Sequence, residues 1–137
     1  AIEMKSQVGP SFGNNFNNRS EEAIGSSVDF WVAFREGIMG IHPPWVGYFL
    51  LVEESPGSRS PVKLAKSLFA PMPIFQQTSY IQRYGILCQR LVLERNYNAA
   101  SLLVTPRGTE GHYAEPFSGL GFSEFVHAFF GHLVGSS

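Results

Sequence analysis

The residues Trp45-Val46-Gly47-Tyr48-Phe49-Leu50-Leu51-Val52 form an unbroken apolar run between His42-Pro43-Pro44, which breaks the chain, and the acidic pair Glu53-Glu54. A strand with one wet face alternates apolar and polar residues. A run without alternation is the pattern of a central strand buried on both sides. Such a strand must be covered on both faces, and the flanking segments alternate between strand and helix patterns in a way that supplies the cover. The fold class expected is α/β, a mixed or parallel sheet flanked by helices with right-handed crossovers.

Ala1 to Gly9 alternates apolar and polar residues and reads as a first strand, followed by turn chemistry in Gly9-Pro10-Ser11-Phe12-Gly13. Asn17 or Asn18 is placed to cap a helix, with Glu21 three residues after Asn18 as a capping box requires. That helix is predicted from Arg19 to Glu36, with Ile24, Val28, Trp31, Val32 and Phe34 packing on the sheet and Gly37 stopping it. Glu21 and Glu22 then fall in its first turn and complement the helix dipole.

From Ser55 to Gln77 the chain is rich in Ser and Pro (Pro56, Pro61, Pro71, Pro73) and is read as an extended loop with one helical turn near Leu64. Ser79 to Asn96 is a second helix, apolar at Ile81, Tyr84, Leu87, Cys88, Leu91 and Val92. Ala99 to Thr105 is a short buried strand halted by Pro106. After a loop from Gly108 to Gly121, Phe122 to Val134 is a closing helix with Phe125, Val126, Phe129, Phe130 and Leu133 apolar. There are no internal repeats and no linker dividing the chain, so a single domain over residues 1–137 is expected.

With 137 residues, 44% hydrophobic and 14% aromatic, the chain can bury a core of its own. Ten basic against eleven acidic residues leave a net charge of -1, which argues against non-specific nucleic-acid binding through global charge. A site-specific protein can instead concentrate positive charge in one cleft. The lone Cys88 excludes an intrachain disulfide and reads as a buried apolar residue, which fits a reducing cytosol. No apolar stretch reaches membrane-spanning length, so no membrane partner is expected. His127 and His132 are five apart, badly phased for one helix face. With His112 they have no Cys or acidic pair to complete a zinc site.

The chemistry-bearing feature is in the first strand. Side chains at i and i+2 share a face, so Glu3, Lys5 and Gln7 project together while Ile2, Met4 and Val8 point the other way. A carboxylate held beside an ammonium suits metal-assisted phosphodiester hydrolysis. The first is a hard oxygen ligand for Mg²⁺, and the second orients the attacking water or neutralises charge on phosphorus. Glu-x-Lys is common, and alone it describes a solvated strand face.

The string from Lys5 to Arg19 (Lys5-Ser6-Gln7-Val8-Gly9-Pro10-Ser11-Phe12-Gly13-Asn14-Asn15-Phe16-Asn17-Asn18-Arg19) is long and unusual. With Ser20 to Ser26, Ser58 to Lys63 and Tyr84 to Arg95, it resembles the XhoI-type family of type II restriction endonucleases. The resemblance implies a restriction endonuclease-like core in which Glu3 and Lys5 are the second half of a PD-(D/E)xK nuclease signature. It further implies Mg²⁺ as cofactor, double-stranded DNA cut within the palindrome CTCGAG as substrate, and a homodimer. The signature's first Asp, on the preceding strand, has no counterpart here. The chain is therefore expected to be the C-terminal portion of a longer protein, truncated at its N-terminus and weak or inactive alone.

Within that frame Glu3 is the expected Mg²⁺ ligand and Lys5 the catalytic lysine, while two roles stay open for Gln7, phosphate contact and capping the strand. Asn14, Asn15, Asn17 and Asn18 adjoin the site. Asn pairs bidentately with adenine, and it is equally a turn and cap residue. Arg19 suits phosphate. Arg59, Lys63 and Lys66 make the densest basic loop, and Arg107 follows a buried strand where sheet-edge binding residues lie. The competing reading from another class is a catalytically silent DNA-binding or protein-interaction domain of the same fold.

Overall fold

The computed structural model of the chain describes residues 1–64 and 68–135. Its centre is a three-stranded sheet in the order β1-β2-β3, formed by Ile2–Gln7, Gly47–Glu54 and Ala99–Pro106. Both ladders are parallel. Antiparallel pairing enters at a bridge between Val104 and Ala114. The apolar run forms the middle strand, as a segment buried on both faces must.

The helices are α1 (Phe12–Arg35), the single turn α2 (Pro56–Arg59), α3 (Tyr80–Leu93) and α4 (Phe122–Gly135), with a 3-10 turn at Pro73–Phe75. The two strand-to-strand crossovers run through α1 and α3, which pack on the sheet face carrying Tyr48, Leu50, Val52, Ala100, Leu102 and Val104. The opposite face, at Phe49, is met by Phe122 and Phe125 of α4 through edge-on ring contacts. Alternation along β2 thus feeds two layers of helix.

Three sequence expectations need correction. First, α1 begins at Phe12 rather than Arg19, so the Asn-rich run lies inside the helix and neither Asn17 nor Asn18 caps it. The N-cap is Ser11, whose side chain makes no capping hydrogen bond. Weak helix formers hold here because Phe12 stacks on Tyr80 and Phe16 meets Tyr84 edge-on. Tertiary burial of an i, i+4 aromatic pair outweighs local propensity.

Second, the buried stripe of α1 is displaced from the expected one. Phe12, Ala23 and Ser27 are buried, while Ile24, Val28 and Val32 remain more than 40% exposed. The small residues instead pack on the turn between α3 and β3, where Ala23 meets Tyr97 and Ser27 meets Asn96. Ser27 Oγ lies within hydrogen-bond distance of Asn96 Oδ1 (3.1 Å), and Trp31 Nε1 donates to the Asn96 carbonyl at 2.9 Å.

Third, among the described residues between β2 and α3 helical turns fall at Pro56–Arg59 and Pro73–Phe75; Leu64 itself is irregular, and residues 65–67, beside which a turn was expected, lie outside the described residues. The first turn is nucleated by a reciprocal capping box between Ser55 and Ser58. Lys66 lies outside the described residues.

The remaining elements follow the sequence closely. A capping box between Ser79 and Gln82 opens α3, and Ile81, Tyr84, Leu87, Cys88 and Leu91 are its buried face. Gly37, at φ +77°, terminates α1. Burial pushes the Cys88 thiol up to about 12, in keeping with an inert core residue.

Gly47, at the start of β2, has no room for a side chain, because a Cβ there would lie 2.6 Å from the rings of both Trp45 and Phe125. Gly47→Ala is expected to destabilise the fold by about 1–3 kcal/mol through overpacking, read as a lower urea midpoint with an unchanged m-value.

Candidate active site

Register decides which face the charged residues of β1 occupy. Glu3 pairs with Tyr48, Lys5 with Leu50 and Gln7 with Val52. Laterally paired residues share a face, so all three point toward α1, and Ile2 and Met4 turn toward α4.

On the α1 side the charges are linked in series. Lys5 Nζ lies 3.4 Å from Glu3 Oε1 and 3.3 Å from Glu22 Oε2, and Glu22 Oε2 also receives Arg19 Nη1. Side-chain exposure is 18% for Glu3, 28% for Lys5 and 44% for Glu22, so the chain of charges runs from the sheet outward to solvent. The ammonium is held between two carboxylates from different elements. That arrangement fixes Nζ without burying an uncompensated charge.

Glu3 has a second partner on its inner side. The Tyr97 hydroxyl is hydrogen-bonded to Glu3 Oε2 and lies 2.9 Å from the carbonyl oxygen of Ala23, in the interior of α1. The Tyr97 ring is buried against Tyr48, with centroids 5.2 Å apart. Burial first, and then the hydrogen bond to Glu3, raise the Tyr97 phenol above its ordinary range.

Tyr48 is raised by burial, with Cys88, Glu3 and Tyr84 nearby, and Tyr84 by burial. The Tyr48 and Tyr84 hydroxyls and Arg19 Nε are buried without a hydrogen-bond partner among the described residues. A cleft of about 350 Å³ lined by Ile2, Glu3, Ser26, Ser27, Phe30 and Tyr97 opens beside Glu3. A larger cleft of about 670 Å³, lined by Trp31, Arg35, Val92 and Arg95, does not include Glu3, and Lys5 lines neither of the two.

Of the other expected site residues, Arg19 joins this network through Glu22, while Gln7, Arg59 and Arg107 have partners elsewhere. Gln7 is buried, and its Nε2 donates to the carbonyl of Val8 at 2.7 Å. Asn14, Asn17 and Asn18 are exposed on α1, and Asn15 is half-buried. Arg19 is held by Glu22. Arg59 pairs with Glu54 at 2.6 Å, and Arg107 with Glu53 at 3.1 Å. Lys63 is exposed in the loop after α2.

Two residues of the network were not anticipated. Glu22 lies in the third turn of α1 rather than the first, and the i, i+3 spacing from Arg19 was its sequence signal. Tyr97 is 94 positions from Glu3 and had none.

The donors suit a hard cation of modest demand. Among the described residues no group of three or more His, Cys, Asp or Glu could hold a metal ion, which excludes an all-protein cage there. Mg²⁺ takes one or two carboxylates and fills the rest of its octahedron with water and substrate phosphate. Glu3, with Glu22 across the ammonium, matches that requirement.

The raised phenols give a pH prediction. Because Tyr48, Tyr84 and Tyr97 hold their protons more tightly when folded, their contribution is fully present below the ordinary tyrosine value near 10 and is lost as pH rises above it. Phenolate absorbance from these three is expected to appear only together with loss of the far-ultraviolet circular dichroism. Their ionisation in a fully folded protein at pH ~10 would contradict the burial described.

Comparison with known proteins places the chain. Residues 1–115 match the family model described as restriction endonuclease XhoI. The type II restriction enzyme BstVI of Geobacillus stearothermophilus is 43% identical over 137 residues, covering 98% of this chain and 61% of the relative. The type II restriction enzyme XhoI of Xanthomonas vasicola is 50% identical over 95 residues, covering 69% of this chain and 38% of the relative. The type II restriction enzyme AbrI of Azospirillum brasilense is 64% identical over 59 residues, covering 42% and 27%. The chain thus spans less than two thirds of the length of these relatives. No solved structure matches it. With the family match running from β1 through α3 and β3, and so across every residue of the charged network, the chain belongs to the XhoI restriction endonuclease family.

Proposed function

We propose that this chain carries part of the active site of a type II restriction endonuclease, with Glu3 as ligand to Mg²⁺ and Lys5 as the cation beside the scissile phosphate. The observation that supports the reading is the placement of Glu3 and Lys5 on one face of β1, 3.4 Å apart and each held by a further side chain. The bound ion supplies Lewis-acid stabilisation of phosphate oxygen and lowers the pKa of water. Everything else falls to the protein. Glu3 offers Oε1 on the exposed side, since Oε2 is engaged by Tyr97. Lys5, already desolvated on two sides by carboxylates, exchanges one of them for a phosphate oxygen or orients the attacking water.

The substrate proposed is double-stranded DNA at CTCGAG, and the palindrome favours a two-fold dimer presenting one surface to each half-site. The setting is the cytoplasm, where DNA is reached without crossing a membrane. No described helix is long and apolar enough to span one. Asn14, Asn17 and Asn18, exposed on the helix that carries Arg19 and Glu22, are the candidates for base contact, with Asn15 behind them. Arg19, Arg59 and Arg107 each hold a carboxylate, so contact with phosphate would exchange one anion for another. Lys63 and Lys66 complete the basic loop.

The test is cleavage of a plasmid bearing a single CTCGAG by the protein expressed from its complete reading frame. Linear product is expected with Mg²⁺ and not with chelator, and a plasmid lacking the site is spared. Lys5→Ala is expected to lose roughly 10²–10³-fold in rate, the scale of removing one transition-state charge partner. DNA left intact by folded, metal-saturated protein would favour the silent DNA-binding reading, with retention on DNA that falls with salt as its signature.

A further inference from the structure

Tyr97 is buried, and its hydroxyl meets two acceptors, Glu3 Oε2 and the carbonyl oxygen of Ala23 at 2.9 Å. A phenol has one proton to donate. The Ala23 carbonyl sits in the interior of α1, where the helix supplies it with a donor four residues on, so it does not depend on Tyr97. The carboxylate has Lys5 at Oε1, and Tyr97 is the donor at Oε2. We propose that Tyr97 is a positioning residue for metal binding: its hydroxyl pins Oε2 of Glu3 on the buried side and leaves Oε1, beside Lys5, as the oxygen presented to the ion.

The geometry favours this role over simple core filling. The residue comes from the turn between α3 and β3, yet its hydroxyl reaches the face of β1 under α1, so three elements meet at one oxygen. The buried ring, packed on Tyr48, fixes where Oη stands, and Oη in turn restricts the rotamer of Glu3. A free glutamate can present either oxygen and rotates about three side-chain bonds. One held at Oε2 by a buried donor and flanked at Oε1 by Lys5 has little rotation left. Partners of metal ligands act in this way, and their removal typically costs 10–100-fold in metal affinity.

A control stands next to it. Tyr48 is in ring contact with Tyr97 and equally buried, but its hydroxyl has no hydrogen-bond partner among the described residues. Removing that hydroxyl takes away no hydrogen bond seen here, whereas removing that of Tyr97 frees the carboxylate.

The proposal rests on Glu3 being the metal ligand, and the experiment separates the two. The isotope-labelled protein from the complete reading frame is titrated with Mn²⁺, and the paramagnetic broadening of the backbone amides of residues 2–6 is followed by NMR, with no DNA and no turnover. Broadening centred on Glu3 is expected for the wild type and for Tyr48→Phe at similar midpoints. For Tyr97→Phe a midpoint about tenfold or more higher is expected, and for Glu3→Gln none. If Glu3→Gln abolishes the broadening while Tyr97→Phe leaves the midpoint unchanged, Glu3 is a ligand and the positioning role of Tyr97 is wrong. If Glu3→Gln leaves the broadening in place, Glu3 is not the ligand and both ideas fall.

Amide dispersion in the same spectra reports folding. Should Tyr97→Phe not fold, the hydroxyl proton of Tyr97 gives the answer in otherwise intact protein. It is expected far downfield, as for a hydrogen bond to a carboxylate, and to move upfield in Glu3→Gln. No response to that substitution would overturn the proposal.

Discussion

The β1–β2 register governs the rest of the molecule. Glu3 opposite Tyr48 and Lys5 opposite Leu50 put both charged residues under α1. Because side chains alternate with a period of two, a slip of one residue would turn them toward the phenylalanines of α4 and bring Ile2 and Met4 under α1. The cost of burying Glu3 and Lys5 among the rings of Phe49, Phe122 and Phe125 holds the register where it is. The chemistry of β1 and the stability of the sheet are therefore set by the same pairing.

The charge distribution follows from the same geometry. A net charge of -1 leaves no broad positive field, and three of the arginines proposed to contact DNA are individually matched. Arg19 meets Glu22, Arg59 meets Glu54, and Arg107 meets Glu53, whose carboxylate also accepts the amide of Gly9. Exposed pairs of this kind add little to stability. Their consequence is local, because each arginine is held in place by a carboxylate that an incoming phosphate would have to displace.

Much of the architecture was legible because it depends on local pattern. The apolar run gave β2, the spacing from Ile81 to Leu91 gave α3, and Pro106 ended β3 within a residue of the expected place. The start of α1 was not legible from its Asn-rich composition, since partners across space settle it. Phe12 and Phe16 find Tyr80 and Tyr84 on another helix, and that burial carries residues of poor propensity into the helix. The buried stripe of α1 was misjudged for a related reason. Ala23 and Ser27 are buried because they are small enough for close approach, and hydrophobicity alone points to Ile24 and Val28. At the site, i, i+2 periodicity sufficed to put Glu3 and Lys5 on one face of β1. Glu22 required the true start of the helix, and Tyr97 required the fold.

The central claim is that Glu3 and Lys5 form a metal and phosphate site. It is tested most directly by diffraction from crystals of the complete protein with a CTCGAG duplex and Mn²⁺, collected for the anomalous signal of manganese. The account predicts a peak at ligand distance from Glu3 Oε1 and Lys5 Nζ within hydrogen-bond reach of a phosphate oxygen. A manganese site remote from Glu3, with Lys5 still held between Glu3 and Glu22 and no phosphate beside it, would contradict the account.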